Sequence, residues 1–172
     1  GKVVMIRGAV LPGETVEVCI EEDKNDYFIA SALKIIEPSP ERIEPLCGYF
    51  GTCGGCGMQH VPYHLQVRIK EDILRDSIKR VAKIEMEFGE SIVNEDPWNY
   101  RVRAQYKVSN DGLGLHRKGT REVIKIDRCL LMNDKINEYA QGVHSIFKDT
   151  GANEFHITGS GHLIALLITR RS

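Results

Sequence analysis

No run of about 18 apolar residues occurs in this 172-residue sequence, so nothing in it reads as a membrane-spanning helix. Its first residues lack the basic, apolar and small-residue order of a signal segment. There is no internal repeat and no low-complexity tract, which sets aside repeat architectures. Charge of one sign is also missing: the net charge is -1, so the chain as a whole does not declare itself a polyanion binder. Nor is there an even, well-spread set of cysteines, as an extracellular disulfide scaffold would show. The chain has five, and Cys47, Cys53 and Cys56 crowd within ten positions. That pattern fits a reducing compartment and a metal site, and a cytoplasmic location with no membrane partner is expected.

What is present is enough apolar residue, 42%, for a folded core of modest size. Lys2–Arg7, Thr15–Ile20 and Tyr27–Ile36 read as short strands separated by the turn Leu11-Pro12-Gly13-Glu14 and the charged turn Glu21–Asp26. Val16, Val18 and Ile20 alternate on one face, with Cys19 opposite as an unliganded thiol. Several short strands with turn signals suggest a small barrel or sandwich over residues 1–37. Pro38, Pro40 and Pro45 stiffen a linker over residues 38–46. The remainder, 47–172, is expected to be an α+β domain, making the whole mainly β.

In that remainder Leu65, Ile69 and Ile73 recur every four residues, which predicts an amphipathic surface helix over Tyr63–Val81 behind Pro62. Tyr100–Val108, Gly112–His116 and Glu122–Asp127 read as strands, with a turn at Asn110-Asp111-Gly112. A second helix is expected over Leu130–Phe147 and a closing hairpin over Phe155–Thr158 and His162–Thr169. The last of these strands is so apolar that it calls for cover on both faces. Tyr100–Arg128 holds 8 basic against 3 acidic residues. Arg101, Arg103 and Lys107 alternate along one strand, and Arg117, Lys118 and Arg121 follow on the next connection. These six are expected to contact the phosphates of a polyanion such as RNA.

The cysteines carry the most chemistry. Cys47-x5-Cys53-x2-Cys56 lies in a loop with Gly48, Gly51, Gly54, Gly55 and Gly57. Two intervening residues let the Cys53 and Cys56 thiolates turn to one centre, and the glycines free amide N–H groups to face sulfur. Cys129, far downstream and just after a strand, is the candidate fourth ligand. Three readings stay open on spacing: an iron–sulfur cluster, a zinc site, and structural or redox thiols. The dense run of bacterial ferredoxins and a second C-x2-C knuckle are both lacking. His60 is a rival fourth ligand.

The stretch Cys47-Gly48-Tyr49-Phe50-Gly51-Thr52-Cys53-Gly54-Gly55-Cys56-Gly57-Met58-Gln59-His60 resembles the iron–sulfur motif of the RNA uracil-5-methyltransferase family. Tyr63, Gln66 and Lys70 resemble that family's following helix, and Tyr100-Arg101-Val102-Arg103-Ala104 its YRxRA strand. Leu11-Pro12-Gly13-Glu14 resembles the turn of the RNA-binding TRAM domain, and Ser39-Pro40 with Arg42 its linker. Together these matches run over almost the whole chain and lean toward the 23S ribosomal RNA branch, with transfer RNA as the alternative substrate.

The resemblance implies a [4Fe–4S] cluster on Cys47, Cys53, Cys56 and Cys129, and structured RNA as partner, with no obligate protein partner. It also implies that residues 1–37 are a TRAM domain, a small OB-like β-barrel cut at its start, and that the chain stops just before or within the junction to a catalytic domain. In the family that domain binds S-adenosylmethionine and supplies a cysteine nucleophile to uracil C6, so no catalytic residue is expected here. The rivals are an electron-transfer iron–sulfur protein and a zinc-stabilised RNA-binding module. Because methyl transfer moves no net electrons, the cluster is expected to be structural.

Overall fold

A computed structural model describes residues 1–109, 111–147, 151–160 and 163–169. Its elements are β1 Val3–Arg7, β2 Thr15–Asp23, β3 Tyr27–Glu37, α1 Tyr63–Val81, β4 Arg103–Ser109, β5 Gly112–His116, β6 Val123–Lys125, α2 Asp134–Phe147, β7 Glu154–Ser160 and β8 Leu163–Thr169. Asn110 of the expected turn, His162 of the expected last strand and residues 170–172 lie outside the described set. The chain is a mixed α/β fold whose contacts form two compact units: Gly1–Leu46 with Gly57–Ser91, and Cys47–Cys56 with Ile92–Ser172. No helix among the described residues is long and apolar enough to cross a membrane.

In the first unit the sheet order is β1-β3-β2. β1 runs parallel to β3, with Val3 opposite Tyr27, and β2 runs antiparallel to it, with Cys19 opposite Ser31. Closure into a barrel is not seen among the described residues; β1 and β2 are the two edges. Three register shifts along β2 break the simple alternation, so Val16 and Val18 are half-buried while Ile20 is exposed. Helix α1 has the bounds its apolar spacing predicts, and the αR cap Ala82 donates its N–H back to Ile78 O. Lys83, at φ 56, then turns the chain out of the helix. No residue of α1 is buried, in keeping with a surface helix laced by the Glu71–Arg75 and Asp76–Arg80 pairs.

The second unit is a five-stranded sheet of order β6-β5-β4-β7-β8 with α2 packed on one face. Ile136, Ala140 and Val143 of α2 bury themselves on Ala104, Tyr106, Leu113, Phe155 and Ile157 of the sheet. β4 is the central strand, with Lys107 opposite Gly114 on β5 and Glu154 on β7. On β8, Ile168 packs against the same core; the two-face cover expected of the rest of that strand falls on side chains outside the described residues.

Two boundaries differ from the sequence expectation, each for a local reason. Helix α2 begins at Asp134 rather than Leu130, because Asn133 caps it: its Oδ1 accepts the Lys135 N–H at 2.8 Å. Strand β4 begins at Arg103, and Arg101 forms instead an isolated parallel bridge with Met132.

Candidate metal centre

Cys47, Cys53, Cys56 and Cys129 all belong to the second unit, and Cys19 to the first. None of the five forms a disulfide; Cys53 and Cys129 are buried, Cys47 and Cys56 half-buried, Cys19 exposed.

The loop is folded around Tyr49, whose carbonyl accepts the N–H groups of Thr52 and Cys53 at 3.2 and 2.8 Å. It is then sewn to the end of β5. Cys53 bridges Arg117, Gly54 N–H donates to His116 O at 3.0 Å, and Lys118 N–H donates to Thr52 O at 2.8 Å. Position 54 is close-fitting: a Cβ would stand 3.2 Å from His116 O, and Lys118 Cα would lie in ordinary contact at 3.5 Å. One residue on, Gly55 N–H donates to Cys53 Sγ at 3.3 Å, the amide-to-sulfur contact that the glycine pair was expected to permit.

Cys129 sits in the turn between β6 and α2. Buried Asn137 clamps it: Oδ1 accepts the Cys129 N–H at 2.9 Å, and Nδ2 donates to the carbonyls of Cys129 and Met132, both at 3.1 Å. Two ties join this arm to the loop. The Tyr49 hydroxyl donates to Asp127 Oδ2 at 2.9 Å and accepts the Asp127 N–H at 3.2 Å. Arg101 Nη2 donates to Gly55 O at 3.3 Å.

Burial pushes the Cys53 thiol up; the Gly55 N–H opposes this, the charges of Cys129 and Cys47 add to it, and Arg101 opposes it. Burial also raises the Tyr106 hydroxyl, with Cys129 contributing, and that hydroxyl lies 3.1 Å from Met132 Sδ. The thiols are thus near enough to oppose one another's ionisation, and a bound positive centre would reverse that by holding them as thiolates. This donor set, all sulfur and partly shielded from water, has the chemistry that an iron–sulfur cluster or a zinc ion takes. Among the described residues no three His, Cys, Asp or Glu side chains are gathered closely enough to hold one metal ion. A four-iron cluster makes a different demand, because each thiolate binds its own iron and the sulfurs stand farther apart than around a single ion.

The six cations take distinct positions. Arg101 faces Gly55 rather than sharing a strand face with Arg103. Lys107 pairs with Glu154 on β7, and Arg117 with Glu122 at 2.6 Å. Arg103, Lys118 and Arg121 are exposed and carry no ion pair among the described residues. β4 starts at Arg103, and antiparallel β5 ends just before Lys118. Arg121 precedes β6, whose Val123 lies opposite His116. All three therefore stand at the end of the sheet that carries the cysteine loop.

Sequence reasoning missed Asn137 and the Tyr49–Asp127 latch. A polar residue inside the otherwise apolar stripe of α2 was a signal for the first. Nothing local announced the second, whose members are 78 positions apart.

No family model matches the chain. An uncharacterized RNA methyltransferase of Aquifex aeolicus (strain VF5) is 38% identical over 149 residues, covering 86% of this chain and 35% of the relative. The 23S rRNA (uracil(1939)-C(5))-methyltransferase RlmD of Dechloromonas aromatica (strain RCB) is 32% identical over 178 residues, covering 98% of this chain and 41% of the relative. The crystal structure of the tRNA (uracil-54, C5)-methyltransferase of Pyrococcus abyssi superposes with a TM-score of 0.65 over 96% of this chain and 40% of that one. At 19% identity that likeness speaks for the fold alone. The chain spans between a third and two fifths of the length of the first two relatives. Its homology to RNA (uracil-5-)methyltransferases is distant and partial.

Proposed function

From this partial homology we propose that the chain is the RNA-gripping, [4Fe–4S]-bearing part of an S-adenosylmethionine-dependent RNA (uracil-5-)-methyltransferase that acts on ribosomal RNA in the cytoplasm. Residues 1–37 serve as a TRAM-like RNA-binding module, 38–46 as linker, and 47–172 as the cluster domain. The observation that carries this reading is the tying of the Cys47–Cys56 loop to the Cys129 arm through Tyr49–Asp127 and Arg101–Gly55. Ribosomal rather than transfer RNA is favoured by the 23S rRNA methyltransferase of Dechloromonas aromatica, the relative at 32% identity.

In this proposal Cys47, Cys53, Cys56 and Cys129 hold the cluster, Gly55 N–H faces the Cys53 sulfur, and Tyr49 shields it. When bound, the cluster supplies a rigid cross-link between loop and arm, and with it folding energy. Arg103, Lys118 and Arg121 meet phosphates at the loop end of the sheet. Lys107 and Arg117 join them by exchanging a carboxylate for a phosphate; the Arg117–Glu122 pair is exposed and therefore readily given up. Substrate uracil must be unpaired or flipped out before a catalytic domain can reach it, so this part fixes the surrounding RNA while chemistry proceeds elsewhere.

The test is anaerobic reconstitution of the chain followed by iron, sulfide and zinc analysis. About four iron and four sulfide per chain is the expected result, lost when Cys129→Ser is made and kept when Cys19→Ser is made. One zinc per chain and no iron would sink the cluster assignment.

A further inference from the structure

We infer that Arg101 is a positioning residue for the cysteine centre, a cationic clasp that closes the Cys129 arm onto the Cys53–Cys56 knuckle and offsets the negative charge gathered there. This rests on the proposed cluster, but it assigns Arg101 to the sulfur site instead of to RNA phosphate.

The backbone of Arg101 is fixed to the arm that carries Cys129. Its N–H donates to Leu131 O at 2.8 Å, its carbonyl accepts the Asn133 N–H at 2.9 Å, and it bridges Met132 in parallel. Its side chain is fixed to the other half of the site, with Nη2 on the carbonyl of Gly55, the residue immediately before Cys56. A single residue therefore spans two segments that meet only in the folded chain. Main-chain contacts hold it at one end and a half-buried guanidinium at the other.

Charge supports the same assignment. Burial lowers the Arg101 pKa, but the hydrogen bond and charge of Tyr100, together with Cys56 and Cys129, outweigh it and the net shift is upward. Tyr100 also lies beneath the guanidinium, its ring centroid 5.9 Å from Cζ. A cluster held by four thiolates leaves its site net negative, and each electron added deepens that charge. A fixed cation beside it stabilises the bound state and raises the reduction potential. Arg suits this role better than Lys, because the planar fork can meet a carbonyl with one N–H and still present the others toward sulfur. Arg103, two residues on, begins β4 opposite Thr158 and has no such tie, which makes it a matched control.

The experiment uses the whole 172-residue chain, reconstituted with iron and sulfide, as parent, R101Q, R101K and R103Q. R101Q is expected to hold iron about tenfold to a hundredfold more weakly in chelator titration, with a more negative midpoint potential for the cluster that remains. R101K should recover the potential and part of the retention. R103Q should match the parent in both while lowering the salt dependence of RNA binding, an effect loaded R101Q should not show. Circular dichroism of the iron-free chains controls for folding; if R101Q does not fold, R101M supplies the uncharged side chain of similar length. Parent-like retention and potential in the uncharged variant would overturn the inference while leaving the cluster assignment standing. So would a potential in R101K as low as in the uncharged variant. A parent chain that takes up no iron would remove the cluster reading itself, and the inference with it.

Discussion

The Glu14 carboxylate and the Arg42 guanidinium meet as a two-point pair, Nε to Oε1 at 2.6 Å and Nη2 to Oε2 at 2.8 Å, with the Glu14 side chain fully buried. The same carboxylate accepts the N–H groups of Leu11 and Ser39, and Arg42 Nη2 reaches Ala9 O at 2.6 Å. One acidic side chain thus binds the turn before β2 to the proline-rich segment after β3. The hydrogen bond from Arg42 lowers the Glu14 pKa most; burial opposes it, the two backbone N–H groups assist, and the value falls from 4.5 to about 2.

A carboxylate depressed on folding stabilises the fold fully above its unfolded pKa, and that contribution disappears as pH falls through the folded one. The chain should therefore lose about 3 kcal/mol between roughly pH 5 and pH 2 from this group. Glu14→Gln should flatten that part of the profile and lower stability at neutral pH, because Arg42 loses its partner. Urea unfolding across pH measures both. A variant whose stability still falls as steeply over that window would assign the acid sensitivity to other carboxylates.

Gly114 sets the spacing of β5 and β6. A Cβ there would lie 2.0 Å from Ile124 O and 2.7 Å from Ile124 C, both main-chain atoms that cannot swing aside. Gly114→Ala should cost about 3 kcal/mol or more and, because β5 ends where the cysteine loop is sewn on, should also weaken iron retention. Gly142, on the exposed side of helix α2 with nothing within 4 Å of its virtual Cβ, is the counter-case. Gly142→Ala should raise stability by about 0.5–1 kcal/mol. Thermal melts of the two variants moving in the same direction would contradict the geometry.

How far the sequence disclosed this molecule depends on whether the deciding partner was local. Helix α1 was legible to the residue, since Pro62 and the four-residue spacing of Leu65, Ile69 and Ile73 are enough to define it. The C-x5-C-x2-C loop was legible as a local gathering of cysteines for the same reason. Arg101 was not: the alternation Tyr100-Arg101-Val102-Arg103 reads as strand, but Arg101 pairs with Met132, and a residue 31 positions away leaves no mark on local periodicity. The start of α2 was obscured in a similar way, because Leu130 and Leu131 continue the apolar pattern although Asn133 is the cap. The expected barrel face of β2 failed at its register shifts, which local alternation does not reveal.

Asn137 converts helix α2 into a support for Cys129. Its amide satisfies one N–H and two carbonyls of the 129–132 turn, and all of these groups are sheltered from water. Asn137→Ala leaves a buried donor and acceptors unmet, a loss of about 2–3 kcal/mol. Asn137→Asp can still accept the Cys129 N–H but cannot donate to the carbonyls, and it brings a negative charge toward a thiolate. Both variants should release iron faster than the parent, Asp more than Ala if charge dominates. Equal retention in all three would mean that the turn keeps its shape without the clamp.

Arg103 at the start of β4, and Lys118 and Arg121 in the β5–β6 connection, converge on the loop end of the sheet, a placement that composition alone does not require. If they grip phosphate, each contact releases counterions, and affinity falls with salt along a slope set by the number of contacts. Replacing all three by Gln should reduce that slope by about two to three units, while iron content and fold stay unchanged. Lys107→Gln should have a smaller effect, because its ammonium is already neutralised by Glu154 and would have to abandon that pair first. The measurement is binding of a structured ribosomal RNA fragment across a salt series. A triple variant with the parent's slope would move the RNA face off this edge of the sheet. A Lys107 variant that lost as much as the triple would show instead that the central strand, not the loop end, meets the phosphates.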